Sequence, residues 1–511
     1  MEDMILNNLS YPVLSITIFL PLAGALIILL LRNAGAIRWT AFLTTTATLI
    51  VSLPLYIHFD KTTYKMQFVE SYPWIPEWNL NYTVGVDGIS ILFVFLSTLI
   101  SILCVLVSWK SIQEKIKLFY MAILLIQTAM TGVFAAVDLF LFYIFWEAML
   151  IPMFLLIGIW GSSNRVYAAV KFVLFTLAGS VLMLVGIIAL YHAGGKTFNI
   201  LELARVHYPF DLQIWLFLAF FAAFAVKVPM FPVHTWLPDA HTEAPTAGSV
   251  ILAGILLKMG AYGFLRLSMP LFPDAVKTFF IPMLILSVIA IIYGAFVTMM
   301  QKDIKRLIAY SSVSHMGFVT LGIFSLNQTG MEGGILQMIN HGIVTGALFM
   351  CIGIVYERTH TRLIEDYGGL ARAMPIFTVF FTIFVLAGSG FPGMNYFIGE
   401  FLILSGAFKT SMLLGAVSIL GIVLGAAYMS WLYYRIVLKK TNNAEMTDKL
   451  YDMNAREILM FAPLIILVFY IGVQPHVPLS YMQVSVEHLL ERFNAGGQEI
   501  TAVKGIVEVL K

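Results

Sequence analysis

Apolar residues run along this chain in blocks of about 20, the length an α-helix needs to cross a bilayer, and the blocks follow one another almost end to end. They predict spans near 11–31, 37–57, 87–108, 116–135, 138–160, 166–191, 212–231, 246–268, 276–300, 305–325, 332–356, 375–408, 411–437 and 457–475. The fold class is all-α: a polytopic membrane protein of about 14 transmembrane helices. Two blocks are interrupted. In the seventh, Pro229, Pro232 and Pro238 follow Lys227; in the twelfth, Gly388, Gly390, Pro392 and Gly393 precede Glu400. Proline removes a backbone donor and clashes with the preceding turn, so both helices are predicted to be discontinuous. Five spans separate the breaks, so the matching units run in opposite directions, the pattern of an inverted-repeat transporter.

On this pattern the chain is a single membrane domain, 1–511. Three N-terminal helices occupy 1–112, a first five-helix repeat 113–270, a second, inverted repeat 271–440, and a last helix with an amphipathic tail 441–511. The tail alternates apolar and charged residues from Ser485 on, the mark of a helix lying on a surface. Residues 58–86 read as a long loop whose Trp74, Pro76 and Trp78 suit an interface.

Charge sets a direction. Arg32 and Arg38, then Lys302, Lys305 and Arg306, then Arg358, Arg362 and Arg372 fall on one set of alternate loops, while the opposite set is poorer in lysine and arginine. By the positive-inside rule the richer set is cytoplasmic, which puts both termini on the outer, periplasmic side of a bacterial inner membrane. The N-terminal segment lacks a basic region and a cleavage site, so the first span is expected to remain as an anchor.

Composition narrows the chemistry. Only 11% of residues are charged, against about 25% in soluble proteins. The two cysteines, Cys104 and Cys351, lie in apolar blocks, which argues against a disulfide framework or a cysteine-held cluster. Any redox cofactor therefore belongs to another chain.

What remains is a row of titratable groups inside apolar blocks: Glu147, Lys227, Lys258, His315, His341 and Glu400. Charges at such depth are costly and mark ion paths unless they serve as structural glue. Each keeps a plainer alternative. Glu147 is either a path carboxylate or a protonated contact between helices; Lys227 is either a path group or a cap on carbonyls freed by the break. Lys258, with Gly254, Gly260 and Gly263 nearby, faces inward. Glu400 is a path acid or a partner of the helix break. Imidazole changes charge near neutrality, which suits His315 and His341 to a proton relay, although either can be a neutral, hydrogen-bonded core histidine. His234, Asp239, His241 and Glu243 have the residue types of a metal site, but the prolines around them are expected to deny helical spacing. Those four are read as the path entrance or as support for the broken helix, with no metal. No phosphate loop or dinucleotide fingerprint accompanies the row.

The stretches WEAMLIPMFLLIGIWG (146–161), KVPMFPVHTWLPDAHTEAPTAGSVILAGILLKMGAYG (227–263) and DIKRLIAYSSVSHMGF (303–318) resemble the antiporter-like membrane subunits of proton-pumping NADH:quinone oxidoreductase, respiratory complex I. The resemblance covers about residues 10–475 and is strongest to the M-type branch, because Glu400 stands where L- and N-type members carry lysine. It implies two inverted five-helix units and proton-path roles for Glu147, Lys227, Lys258 and Glu400, with His315 and His341 in the connecting region. It also implies L- and N-type neighbours, and NADH, FMN, iron–sulfur clusters and quinone held by partner subunits. A subunit of a multi-subunit sodium/proton antiporter, or a purely structural membrane-arm subunit, are the alternatives.

Overall fold

The computed structural model describes residues 3–440 and 450–495. Among these, thirteen helices are long and apolar enough to cross a membrane. They are α1 (Val13–Leu30), α2 (Ala34–Ile57), α3 (Ile91–Ser111), α4 (Ile116–Ala135), the pair α5 (Leu139–Ala148) and α6 (Leu150–Trp160), α7 (Arg165–Ala193) and α8 (Phe210–Lys227). After the short α9 (Trp236–Glu243) come α10 (Thr246–Leu271), α11 (Pro273–Met299), α12 (Ile304–Phe324) and α13 (Gln328–Thr359). The broken pair α14 (Pro375–Gly388) and α15 (Asn395–Thr410) supplies a fourteenth crossing, before α16 (Met412–Leu438) and α17 (Ala455–Val473). The chain closes on α18 (His476–Ala495).

The expected breaks are present, and each has a local cause. α8 stops at Lys227, two residues before Pro229, and the Trp236 indole donates to the freed carbonyl of Val226 at 2.8 Å. Between α14 and α15, Gly390 (φ +72°) and Gly393 (φ +87°) adopt left-handed backbone, which glycine takes without steric cost. Gly472 of α17 packs so tightly on this turn that a Cβ there would lie 2.3 Å from the Gly393 carbonyl oxygen.

Three features differ from the sequence expectation. The fifth span is split at Met149, because Pro152 has no N–H for the Ala148 carbonyl four residues back. Residues 58–86 form a hairpin rather than a loop. Strands β2 (Met66–Ile75) and β3 (Leu80–Val86) pair antiparallel around Asn79 (φ +49°), and β1 (Met4–Leu6) joins in parallel. The hairpin carries a buried Glu70 whose carboxylate accepts the amides of Leu14 (2.9 Å) and Ser15 (3.0 Å), capping an α1 that begins without a side-chain cap of its own. Finally, the surface helix starts at His476, nine residues before Ser485; the tail from residue 496 on lies outside the described residues.

Met482, Val486, Leu489, Leu490 and Phe493 bury one stripe of α18, and Ser485 Oγ accepts the Gly88 amide at 3.1 Å, so α18 lies on the same face as the hairpin. The opposite face carries Arg306, Arg358 and Arg362 and is called the basic face below. At the centre, the most apolar 18-residue stretches of α10 and α13 are wholly buried, whereas α1, α2 and α7 leave Leu26, Leu43, Val185 and Ile188 exposed. Polar side chains on α10 and α13 therefore meet protein on every side.

Candidate functional site: a buried row of bases and acids

α10 is an α-helix in its middle, Leu257–Gly263, with π-helical turns before and after it, Leu252–Leu256 and Phe264–Ser268. Such bulges frequently mark functional sites, because they free carbonyls and re-aim side chains. Lys258, fully buried, donates to the carbonyl of Ala253 in the first bulge. Its Nζ also lies 2.7 Å from His341 Nδ1 on α13.

The row continues from there. The His341 ring sits 6.0 Å, centroid to centroid, from the ring of His315 on α12. His315 Nδ1 lies 3.5 Å from Glu400 Oε1 on α15. All four side chains are buried. Lys258, His341, His315 and Glu400, scattered over 143 residues of sequence, thus form one contiguous string.

Two tyrosines that the sequence pattern did not single out, with Asn340 and Gly390, hold this string. Tyr428 on α16 places its hydroxyl 3.1 Å from His315 Nε2. Tyr396, bonded to Thr345 at 3.1 Å, sets its ring edge-on to His315 at 5.0 Å. Asn340 Nδ2 donates to the Asn395 carbonyl at 2.8 Å, tying the start of α15 to the helix that carries His341. Gly390 leaves space for the acid: a Cβ there would lie 2.7 Å from Glu400 Oε2. The tyrosines read as ordinary membrane aromatics in sequence, since only their partners across the bundle distinguish them.

The other two members of the row are placed differently. Lys227 is buried, with Nζ 5.0 Å from the Trp146 ring centroid and 6.0 Å from that of Phe172. Glu147, next to Trp146, is only half-buried, which corrects the reading of it as an interior group. It stands next to the exposed Ala148 and close to the exposed Ile151 in this chain. It is within electrostatic range of Lys227, but among the described residues no ion pair joins them.

The cluster after Pro232 does not behave as one site. Contrary to expectation, Trp236–Glu243 is helical; Pro238 falls in the first turn, where a missing N–H breaks no intrahelical bond. Asp239 bonds Lys171 at 2.7 Å and meets Arg306 at 3.5 Å. Glu243 accepts the Asn164 amide at 2.9 Å and faces Arg362 at 3.8 Å. These two carboxylates therefore tie the broken helix to basic-face residues. His241 is fully buried and stacks on Phe349 at 4.8 Å. His234 lies apart, between Phe231 and Tyr293. A cavity of about 470 Å³ opens beside Glu243 on the basic face, lined by Thr246, Lys305, Gly353, Glu357 and Arg362.

The family described as NADH:quinone oxidoreductase/Mrp antiporter, TM, matches residues 136–425, the stretch that holds every member of the row. Among curated proteins, the chain is 47% identical to NADH-quinone oxidoreductase subunit M of Rhodobacter capsulatus over 501 residues, covering 94% of this chain and 97% of that one. It is 48% identical to NADH-ubiquinone oxidoreductase chain 4 of Marchantia polymorpha, over 94% of this chain and 97% of that one. Among solved structures, a chain of respiratory complex I from Thermus thermophilus with bound NADH superposes with a TM-score of 0.87 at 31% identity, covering 95% of this chain and all of that one.

Proposed function

From the premise that the chain belongs to the NADH:quinone oxidoreductase/Mrp antiporter transmembrane family, we propose that it is the M-type membrane-arm subunit of a proton-pumping NADH:quinone oxidoreductase and that protons cross it through the buried row. The observation that carries this reading is the unbroken succession Lys258, His341, His315, Glu400. Buried bases and acids that succeed one another this closely inside a membrane span have little structural use that apolar residues would not serve at lower cost.

The route starts at Lys227 and Glu147. An opposite charge nearby favours a charged amine, and burial opposes it. A Glu147 carboxylate drawn away from Lys227 leaves only the second effect, and the proton is released toward Lys258. The two groups titrate together, so their proton belongs to the pair. A charge pair about 4 Å apart at an effective dielectric of about 20 is worth about 4 kcal/mol. Moving one charge through about 100 mV costs about 2.3 kcal/mol. Opening and closing one such contact is therefore large enough to drive the transfer. His341 Nε2 and Asn340 Oδ1 are buried without a protein partner. Such atoms demand hydrogen bonds, which water along the row would supply, linking steps longer than direct contact.

The chain acts as part of a translocase and has no redox site of its own. NADH, FMN, iron–sulfur clusters and quinone sit in partner subunits, which deliver the energy as a change of charge or packing. The half-buried Glu147 supports that arrangement: a carboxylate on this chain's own membrane surface needs a neighbouring protein over it, and L- and N-type subunits are the neighbours proposed. The basic face lies toward the cytoplasm of a bacterial inner membrane, with both termini on the periplasmic side.

Glu400 tests the reading. In the assembled complex, Glu400→Gln loses proton pumping while Glu400→Asp keeps most of it. Equal pumping in both would make Glu400 structural and sink the route.

A further inference from the structure

Lys258, Tyr262 and Arg266 follow one another at four-residue spacing on α10, and a helix sets such residues on one face. Eight residues carry the stripe about 12 Å from the row toward the hairpin face. Just beyond it, a cavity of about 70 Å³ is bounded by Asp87, Arg266, Ser485 and His488. That is room for water. The stripe thus runs from Lys258 past the Tyr262 hydroxyl to a pocket with room for water, a line toward the hairpin face that bypasses His341.

Arg266 stands on that line. Its side chain is 10% exposed and bonds Asp87 Oδ1 at 2.5 Å. Its Nε donates to the Tyr262 hydroxyl at 3.1 Å, and that hydroxyl donates in turn to the Phe134 carbonyl at 3.3 Å. The same Asp87 oxygen also accepts the amides of Ile89 (3.0 Å) and Ser90 (3.1 Å). Every group of the row can take up and release a proton. A guanidinium cannot, and a fixed positive charge in a narrow exit turns protons and cations back.

We propose that Arg266, held in place by Asp87, seals the hairpin-face end of α10, so that a proton on Lys258 leaves sideways through His341 toward Glu400. This rests on the reading of Lys258 as a proton carrier. The pair also ties the turn after the hairpin to α10, and a tie alone would need no group incapable of proton exchange.

The test measures passive proton conductance of inverted membrane vesicles that contain the assembled complex, with a potential imposed and no substrate. Arg266→Lys keeps the charge and the Asp87 partner but introduces a group that can release its proton. The double variant Arg266→Gln with Asp87→Asn removes both charges together and avoids leaving either buried alone. Both are expected to raise proton conductance several-fold over wild type, and adding Lys258→Met to either is expected to abolish the increase. Conductance equal to wild type in both variants, or an increase that survives Lys258→Met, overturns the seal. Lys258→Met by itself reads the premise separately: if that variant still pumps, the route through Lys258 is wrong; if it stops pumping and neither Arg266 variant leaks, only the seal is.

Discussion

Lys258 Nζ lies 2.7 Å from Nδ1 of His341, on a helix 83 residues further along the chain. With both buried, an uncharged lysine and a neutral imidazole can exchange donor and acceptor roles, and a proton arriving on either is shared between them. Replacing Lys258 by Met is expected to abolish proton pumping in the assembled complex. Lys258→Arg is expected to do the same, because a guanidinium keeps the charge but does not release its proton. Pumping retained in Lys258→Arg would mean that the position needs charge alone. Proton uptake per NADH oxidised in inverted vesicles decides between the two.

Lys227 and Glu147 form the second test. Lys227→Ala and Glu147→Ala each remove one side of an interaction worth about 4 kcal/mol when closed. Both should lose pumping, with the amount of assembled complex in membranes largely unchanged. Normal pumping by a fully assembled variant would remove the pair from the route.

Tyr428 donates to or accepts from His315 Nε2 at 3.1 Å. Tyr428→Phe deletes that bond and keeps the ring. A hydrogen bond of this kind is worth about 1 kcal/mol net, roughly a fivefold change in an equilibrium. A partial loss of pumping is expected, smaller than that of His315→Ala. Unchanged pumping would show that His315 is held by Glu400 and Tyr396 without it.

Gly390 and Gly393 separate strain from contact. Both have left-handed backbone, where an L side chain costs roughly 1–2 kcal/mol. A Cβ at Gly390 also meets Glu400 Oε2 at 2.7 Å, whereas one at Gly393 meets nothing within 4 Å. Both alanine variants should lower thermal stability by similar amounts, and only Gly390→Ala should also impair pumping. Equal pumping in the two would place Glu400 out of reach of its turn.

Arg358 and Glu457 pair at 2.8 Å with almost no exposure, and Glu457 also closes the capping box of α17 with Asn454. Glu457→Ala leaves a buried guanidinium without its partner, at a cost of about 3–5 kcal/mol. The level of assembled complex is expected to fall sharply, and a level equal to wild type would show the cation re-paired.

The fourteen crossings and the two breaks beside Lys227 and Glu400 were legible in the sequence. Lipid leaves each span to satisfy its own backbone, so apolar length defines a helix, and Pro229, Gly390 and Gly393 interrupt it locally. The six titratable candidates were legible too, because a charge in an apolar block stands out whatever surrounds it. The hairpin was not, since strands of ten and seven residues with Pro73 and a mixed pattern look like a polar loop until β1 and the capping role of Glu70 give them partners.

Contacts were decided by the tertiary structure alone. A helix that is apolar all round has no stripe to fix its rotation, so nothing in the sequence around Glu147 says that it faces outward, nor around Lys258 that it faces His341. Tyr428 and Tyr396 meet His315, and Arg266 meets Asp87, across dozens to hundreds of residues of sequence. The order of residues alone says which groups the membrane must accommodate. Packing of α10, α12, α13, α15 and α16 decided which of them touch, because rotation and depth of buried helices are set by side chains meeting across the bundle.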